Sequence, residues 1–218
     1  MALFQLDPQS IAARAKASAD APPQPTLAVS VWRGVVGFTF VSVAGFSPWA
    51  IFDRWFHSMR EMQLYLACTA VFIGLSGVCL HRLIIGPGSL SRFYKLFSLA
   101  FVAYAMVWVA FWVWLRGDLG SITGLLCGTA VMGVILALAF DAPQVIPQTI
   151  AALFVLNTLG YFVGGWIAGK LVIDHQLAAM LVWAVCYGIG FGAGLGIAFH
   201  LCQERVRAML HKARGECS

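Results

Sequence analysis

The sequence predicts an all-α integral membrane protein: a bundle of about six transmembrane helices with the N- and C-termini both cytoplasmic. Three observations lead there. Of 218 residues, 61% are hydrophobic and only 11% charged, whereas a soluble domain carries about 25% charged residues. So few charges could not cover a water-facing surface. The charges are also segregated into short clusters between long apolar runs, the pattern of loops and spans. Finally, the basic residues divide unevenly between the two sides that six spans define.

The chain reads as three parts. Residues 1–26 form an N-terminal cytoplasmic segment, 27–202 the membrane domain and 203–218 a basic cytoplasmic tail. In the first part, Leu3, Leu6, Ile11 and Ala15 are spaced for one helix face, with Arg14 and Lys16 opposite. This fits either a short amphipathic helix on the membrane surface or a frayed tail. Pro22, Pro23 and Pro25 then act as a stiff spacer. The polar start lacks the early apolar region of a signal peptide.

The spans are expected at 27–46, 62–85, 94–115, 119–140, 148–168 and 177–202. Each holds roughly 20 residues, enough to cross about 30 Å of hydrocarbon at about 1.5 Å per residue. Pro48 is expected to stop the first. Arg14, Lys16, Arg33, Arg82, Arg92, Lys95, Arg205, Arg207, Lys212 and Arg214 fall on the side of the termini, and Arg54, Arg60, Arg116 and Lys170 on the other. That bias places the termini in the cytoplasm and the protein, as a multi-pass chain, in an inner or plasma membrane. Trp32, Trp49, Trp55, Trp112, Trp114 and Trp166 stand near predicted span ends, where an aromatic belt is expected. The same flanking positions explain the net charge of +5 without nucleic acid.

The first three spans are rich in aromatics and the last three in glycine. Gly120, Gly124 and Gly128 repeat every four residues, as do Gly160 with Gly164, Gly165 with Gly169, Gly188 with Gly192 and Gly196, and Gly190 with Gly194. Residues four apart share a helix face, and small residues there let backbones approach closely in lipid. Spans four to six are therefore expected to cluster tightly. Gly160, Gly164, Gly188, Gly192 and Gly196 are the principal packing candidates. The sixth span, with glycine rows on two faces, could contact two neighbours, a second copy of the chain, or a ligand.

Intramembrane ionisable groups mark function by default, and this chain has few. Arg33 can snorkel to an interface, Asp141 ends a span, and no carboxylate stands at mid-span. This weighs against a pump built on an acidic relay. Asn157 is the most deeply placed strong hydrogen-bonding side chain. It either bonds a neighbouring helix or contacts a substrate. Tyr161, Tyr187 and Trp108 complete the set of candidate ligand-binding residues. The aromatic stripe Phe97, Phe101, Tyr104, Trp108, Phe111 and Trp112 suits either packing or a flat hydrophobic pigment.

His81 and His200 lie at similar depth on the second and sixth spans, so a haem between them is the metal option. Cys79-Leu-His81 and His200-Leu-Cys202 suggest zinc less well, because residues two apart on a helix point away from each other. The six cysteines form no CxxC pair and read as small buried hydrophobes.

Gly74-Leu-Ser-Gly77 resembles the nucleophile motif of rhomboid-type intramembrane proteases. The serine stands on the second span, whereas that family places it on the fourth. Length and span number are similar to those of the substrate-capture components of energy-coupling-factor transporters, a likeness of shape alone. The motifs of phospholipid synthases and lipid phosphatases are not evident. The sequence therefore favours a non-enzymatic subunit or assembly module of a membrane complex, with membrane proteins or a second copy as partners. The alternative is a small-solute transporter, or its substrate-binding component, with a neutral central cavity.

Overall fold

A computed structural model describes residues 3–17, 25–55, 61–171 and 176–215. The side chains of Leu3, Lys16, Trp49, Arg54, Trp55 and Arg214, and Pro22, Pro23 and Arg60 as a whole, lie outside the described ones. The described residues are helical, without strands: α1 (Pro8–Ala17), α2 (Leu27–Trp55), α3 (Glu61–Leu80), α4 (Ser89–Leu115), α5 (Gly117–Ala139), α6 (Ile146–Leu171), α7 (Gln176–Cys202) and α8 (Glu204–Gly215). Helices α2 to α7 hold six stretches long and apolar enough to cross a membrane, matching the six apolar runs.

Apolar lengths place the spans well, but two ends differ from expectation. Helix α2 continues past Pro48 to Trp55. A proline removes one backbone hydrogen bond, and here the flanking helix carries on around that gap. Helix α3 stops at Leu80, and His81–Leu83 form a single 3-10 turn.

The six long helices form a closed ring in chain order: each packs against the next, and α7 returns to α2. Only Arg116 separates α4 from α5, and Gly117 takes a left-handed φ of 56° in this tight reversal. Such a backbone suits glycine, which lacks the Cβ that clashes there.

Glycine sets the closest approaches. A Cβ at Gly196 would lie 2.5 Å from the Ser30 carbonyl oxygen, and one at Gly188 would lie 2.6 Å from the Thr39 Cα. One at Gly192 would strike the Gly34 carbonyl, so this row faces α2. Gly190 and Gly194 face α6, where Gly160 and Gly164 receive Cys186 and Trp183 of α7. The row Gly120, Gly124 and Gly128 turns instead to Phe111, Trp108 and Tyr104 of α4. The tightest neighbours of α7 are thus α6 and α2, and the Gly120–Gly124–Gly128 row joins α5 to α4, while α5 meets α6 through Gly133 and Ile150. A glycine face accepts any backbone, so the sequence of one helix leaves its partner open.

On the face that carries both termini, α1 packs against α8. Leu6, Ile11, Ala12 and Ala15 are buried in the same apolar cluster as Val206 and Leu210. The amphipathic face therefore rests on protein rather than on a lipid surface. Gln203, 1% exposed, fixes the base of this cap. Its amide donates to the Leu83 and Phe199 carbonyls at 2.8 and 2.9 Å, and its oxygen accepts from Ile85 N–H at 2.8 Å.

Candidate functional site

The centre of the ring differs between its two ends. Toward the face of the termini it is filled by aromatic rings. Phe93, Phe97 and Phe101, each four residues from the next on α4, stack with centroids 5.1 and 5.3 Å apart. Phe199 stacks on Phe93 at 5.6 Å, and Phe191 meets Phe38 edge-on at 4.8 Å. Phe97, Phe101 and Tyr104 of the α4 stripe are buried, and a flat pigment there would have to displace their neighbours, whereas Trp108 and Phe111 are half-buried and Trp112 is exposed.

Midway along α4, α6 and α7 the lining turns polar. Asn157, fully buried, donates a 2.9 Å hydrogen bond to the Tyr104 hydroxyl. The Tyr104 and Tyr187 hydroxyls lie 3.5 Å apart. One turn further from the termini, Trp108 meets Tyr161 edge-on at 6.2 Å, Tyr161 meets Trp183 at 5.6 Å, and Trp183 stacks on Tyr187 at 5.4 Å. The Tyr161 hydroxyl lies 3.5 Å from Ser121 Oγ on α5. The four residues singled out in the sequence, Asn157, Tyr161, Tyr187 and Trp108, thus belong to one connected cluster. Tyr104, Trp183 and Ser121 complete it. Tyr104 and Trp183 sit at helical spacing from Trp108 and Tyr187, a signal the sequence offers only once the facing helices are known.

Two atoms of this cluster are buried without a hydrogen-bond partner: Asn157 Oδ1 and the Trp108 indole nitrogen. Turning the Asn157 amide over exchanges its ends but still leaves one unpaired. Thr39, Ser76 and Thr158 hydroxyls are also unpartnered, but a hydroxyl can rotate toward its own helix backbone. An amide oxygen and an indole N–H lack that freedom. A buried polar group left unpaired costs about 1–3 kcal/mol. The cluster therefore presents one fixed acceptor and one fixed donor among aromatic faces, without a charged side chain. Both are neutral hydrogen-bonding groups, and nothing in the cluster balances an ion.

The histidines stand elsewhere. His81 Nδ1 lies 2.9 Å from Ser89 Oγ, and His200 Nδ1 lies 3.4 Å from Ser30 Oγ. Each ring is thus engaged by a different serine. Among the described residues no group of three or more His, Cys, Asp or Glu side chains gathers as a metal site. Cys202 lies 3.8 Å from Thr149 Oγ1. Ser76, the serine of the Gly74–Gly77 motif, is fully buried and without a hydrogen-bond partner, so it is not paired with a histidine base.

Comparison with known protein families, with curated proteins and with solved structures found no match to this chain.

Proposed function

We propose that this chain is a multi-pass, non-enzymatic protein of an inner or plasma membrane, its termini cytoplasmic, that holds a small neutral solute as the binding subunit of a larger membrane complex. The observation that carries this reading is the unpaired amide oxygen of Asn157 beside Tyr104 and Tyr187. In hydrocarbon such a group has no water to turn to, and a ligand donor would satisfy it. Trp108 N–H would serve a ligand acceptor, and the surrounding rings would cover the ligand's apolar faces. The stacked phenylalanines beneath favour entry from the outer side and retention rather than free passage.

The test is to purify the chain in mild detergent, release its bound molecules with solvent and identify them by mass. A neutral molecule retained near one per chain supports the reading. A chain with nothing bound, after expression in its native membrane, contradicts it. Thiol labelling from outside intact cells at a cysteine replacing Asp118 tests the orientation: labelling there is expected.

A second reading, a pure packing module, draws on Gly165 and Gly169. A Cβ at either would meet nothing within 4 Å, which leaves a narrow face on α6 suited to close approach by another helix. Stoichiometric copurification with one partner, and with no small molecule, favours that reading.

A further inference from the structure

A second site lies on the face of the termini, outside the polar cluster. A cavity of about 370 Å³ is lined by Phe4, Gln5, Gly88, Ser91, Arg92 and Lys95. Its walls are tied in place. Arg14 donates to the Gln5 carbonyl at 2.7 Å, and Arg92 donates to the Gly88 and Pro87 carbonyls at 2.7 and 3.1 Å. Phe4 and Gln5 both take left-handed φ values, 59° and 56°. That conformation is a genuine outlier for a bulky residue, and here it curls the chain start over the first turn of α4. The charged groups lining the cavity are both cations, and Arg14 behind Gln5 feels the charge of Arg92, with Asp7 acting in the opposite sense. The exposed side chains of Leu90 and Leu99 flank the same stretch of α4, where that helix enters its apolar run.

The geometry points to a phosphate-binding site formed by Arg92, Lys95 and Ser91 beneath the Phe4–Gln5 turn, suited to the headgroup of an anionic phospholipid. Arg92 and Lys95 supply charge, Ser91 a hydroxyl donor, and Phe4 an apolar wall for the glycerol and upper acyl carbons. A phosphate in this position would bind α4 to the N-terminal segment. Free phosphate shares the recognising chemistry, so the experiment separates the two sources.

The full chain in neutral detergent is titrated with short-chain phosphatidylglycerol, with phosphatidylcholine and with inorganic phosphate, and bound species are counted by native mass spectrometry. Phosphatidylglycerol should be retained at one per chain and weakened by salt. Lys95→Glu, a change of an exposed side chain, and Arg92→Gln/Lys95→Gln should each weaken retention roughly tenfold or more, from the attraction of a basic side chain for anionic lipid. Arg33→Gln/Arg82→Gln, which removes equal charge elsewhere on the same face, should leave it unchanged. Competition by inorganic phosphate, lost in Lys95→Glu, supports the phosphate chemistry and assigns a soluble source. Equal loss in both double variants, or retention unaffected by Lys95→Glu, overturns the proposal.

Discussion

Asn157 on α6 reaches across the ring to the Tyr104 hydroxyl of α4 at 2.9 Å, spending one end of its amide and leaving the other unpaired. A residue kept for stability would have both ends satisfied. Asn157→Ala should therefore change folding stability by less than about 1 kcal/mol, since a hydrogen bond inside a membrane protein averages about 0.6 kcal/mol and the unpaired carbonyl is removed with it. Unfolding in mixed detergent measures this. A loss above about 3 kcal/mol would mark Asn157 as a structural amide.

The glycines divide by what surrounds them. Gly192→Ala places a methyl group against the Gly34 carbonyl, and forcing α7 from α2 should cost about 1–3 kcal/mol. Gly169→Ala meets open space and should be neutral, or stabilising by up to about 1 kcal/mol through helix propensity. Melting temperatures of the two variants in one detergent should fall on opposite sides of, or at, the parent value. Equal losses would contradict the assigned faces.

Gln203→Leu removes two hydrogen bonds that tie the end of α7 to the 83–85 connection, at the Leu83 carbonyl and the Ile85 N–H, and a third to the Phe199 carbonyl of α7 itself. It strands buried backbone groups, and each such group costs about 1–3 kcal/mol. The expected result is faster amide exchange at Leu83 and Ile85 and in α8, with the glycine-packed interface of α2 and α7 unchanged.

The N-terminal cap should respond to acid. Hydrogen bonding from Ser10, including its backbone N–H at 2.9 Å, holds the Asp7 carboxyl below its ordinary range against the opposing effect of burial. A carboxyl with a depressed folded value stabilises above its unfolded value, about 3.9, and loses that contribution as pH falls through the folded value. Protection of α1 from proteolysis or exchange should be flat from neutral pH down to about pH 5 and should drop below about pH 4. Asp7→Asn retains the cap and should flatten that drop.

Much of this was legible in the sequence, for identifiable reasons. Apolar length alone marks six spans, because a membrane fixes the length of helix it needs. Asn157 stands out because strong polar side chains are rare in such runs. The neighbours of each helix were less legible: the row Gly120, Gly124 and Gly128 says that a backbone comes close, and only the fold assigns that backbone to α4. By spacing Tyr104 belongs to an aromatic stripe, and its role as the partner of Asn157 depends on the rotation of α4 and α6. The docking of α1 on α8 was hidden for a related reason, since an amphipathic face looks the same whether lipid or protein covers it.

The most direct test compares the parent chain with Asn157→Ala by native mass spectrometry after gentle extraction from the native membrane. The predicted result is a neutral adduct of one mass on the parent, absent or reduced at least roughly tenfold on Asn157→Ala, in keeping with the loss of a buried ligand hydrogen bond. An equal adduct on both chains, or a bare parent, would contradict the central claim that the Asn157 cluster holds a ligand.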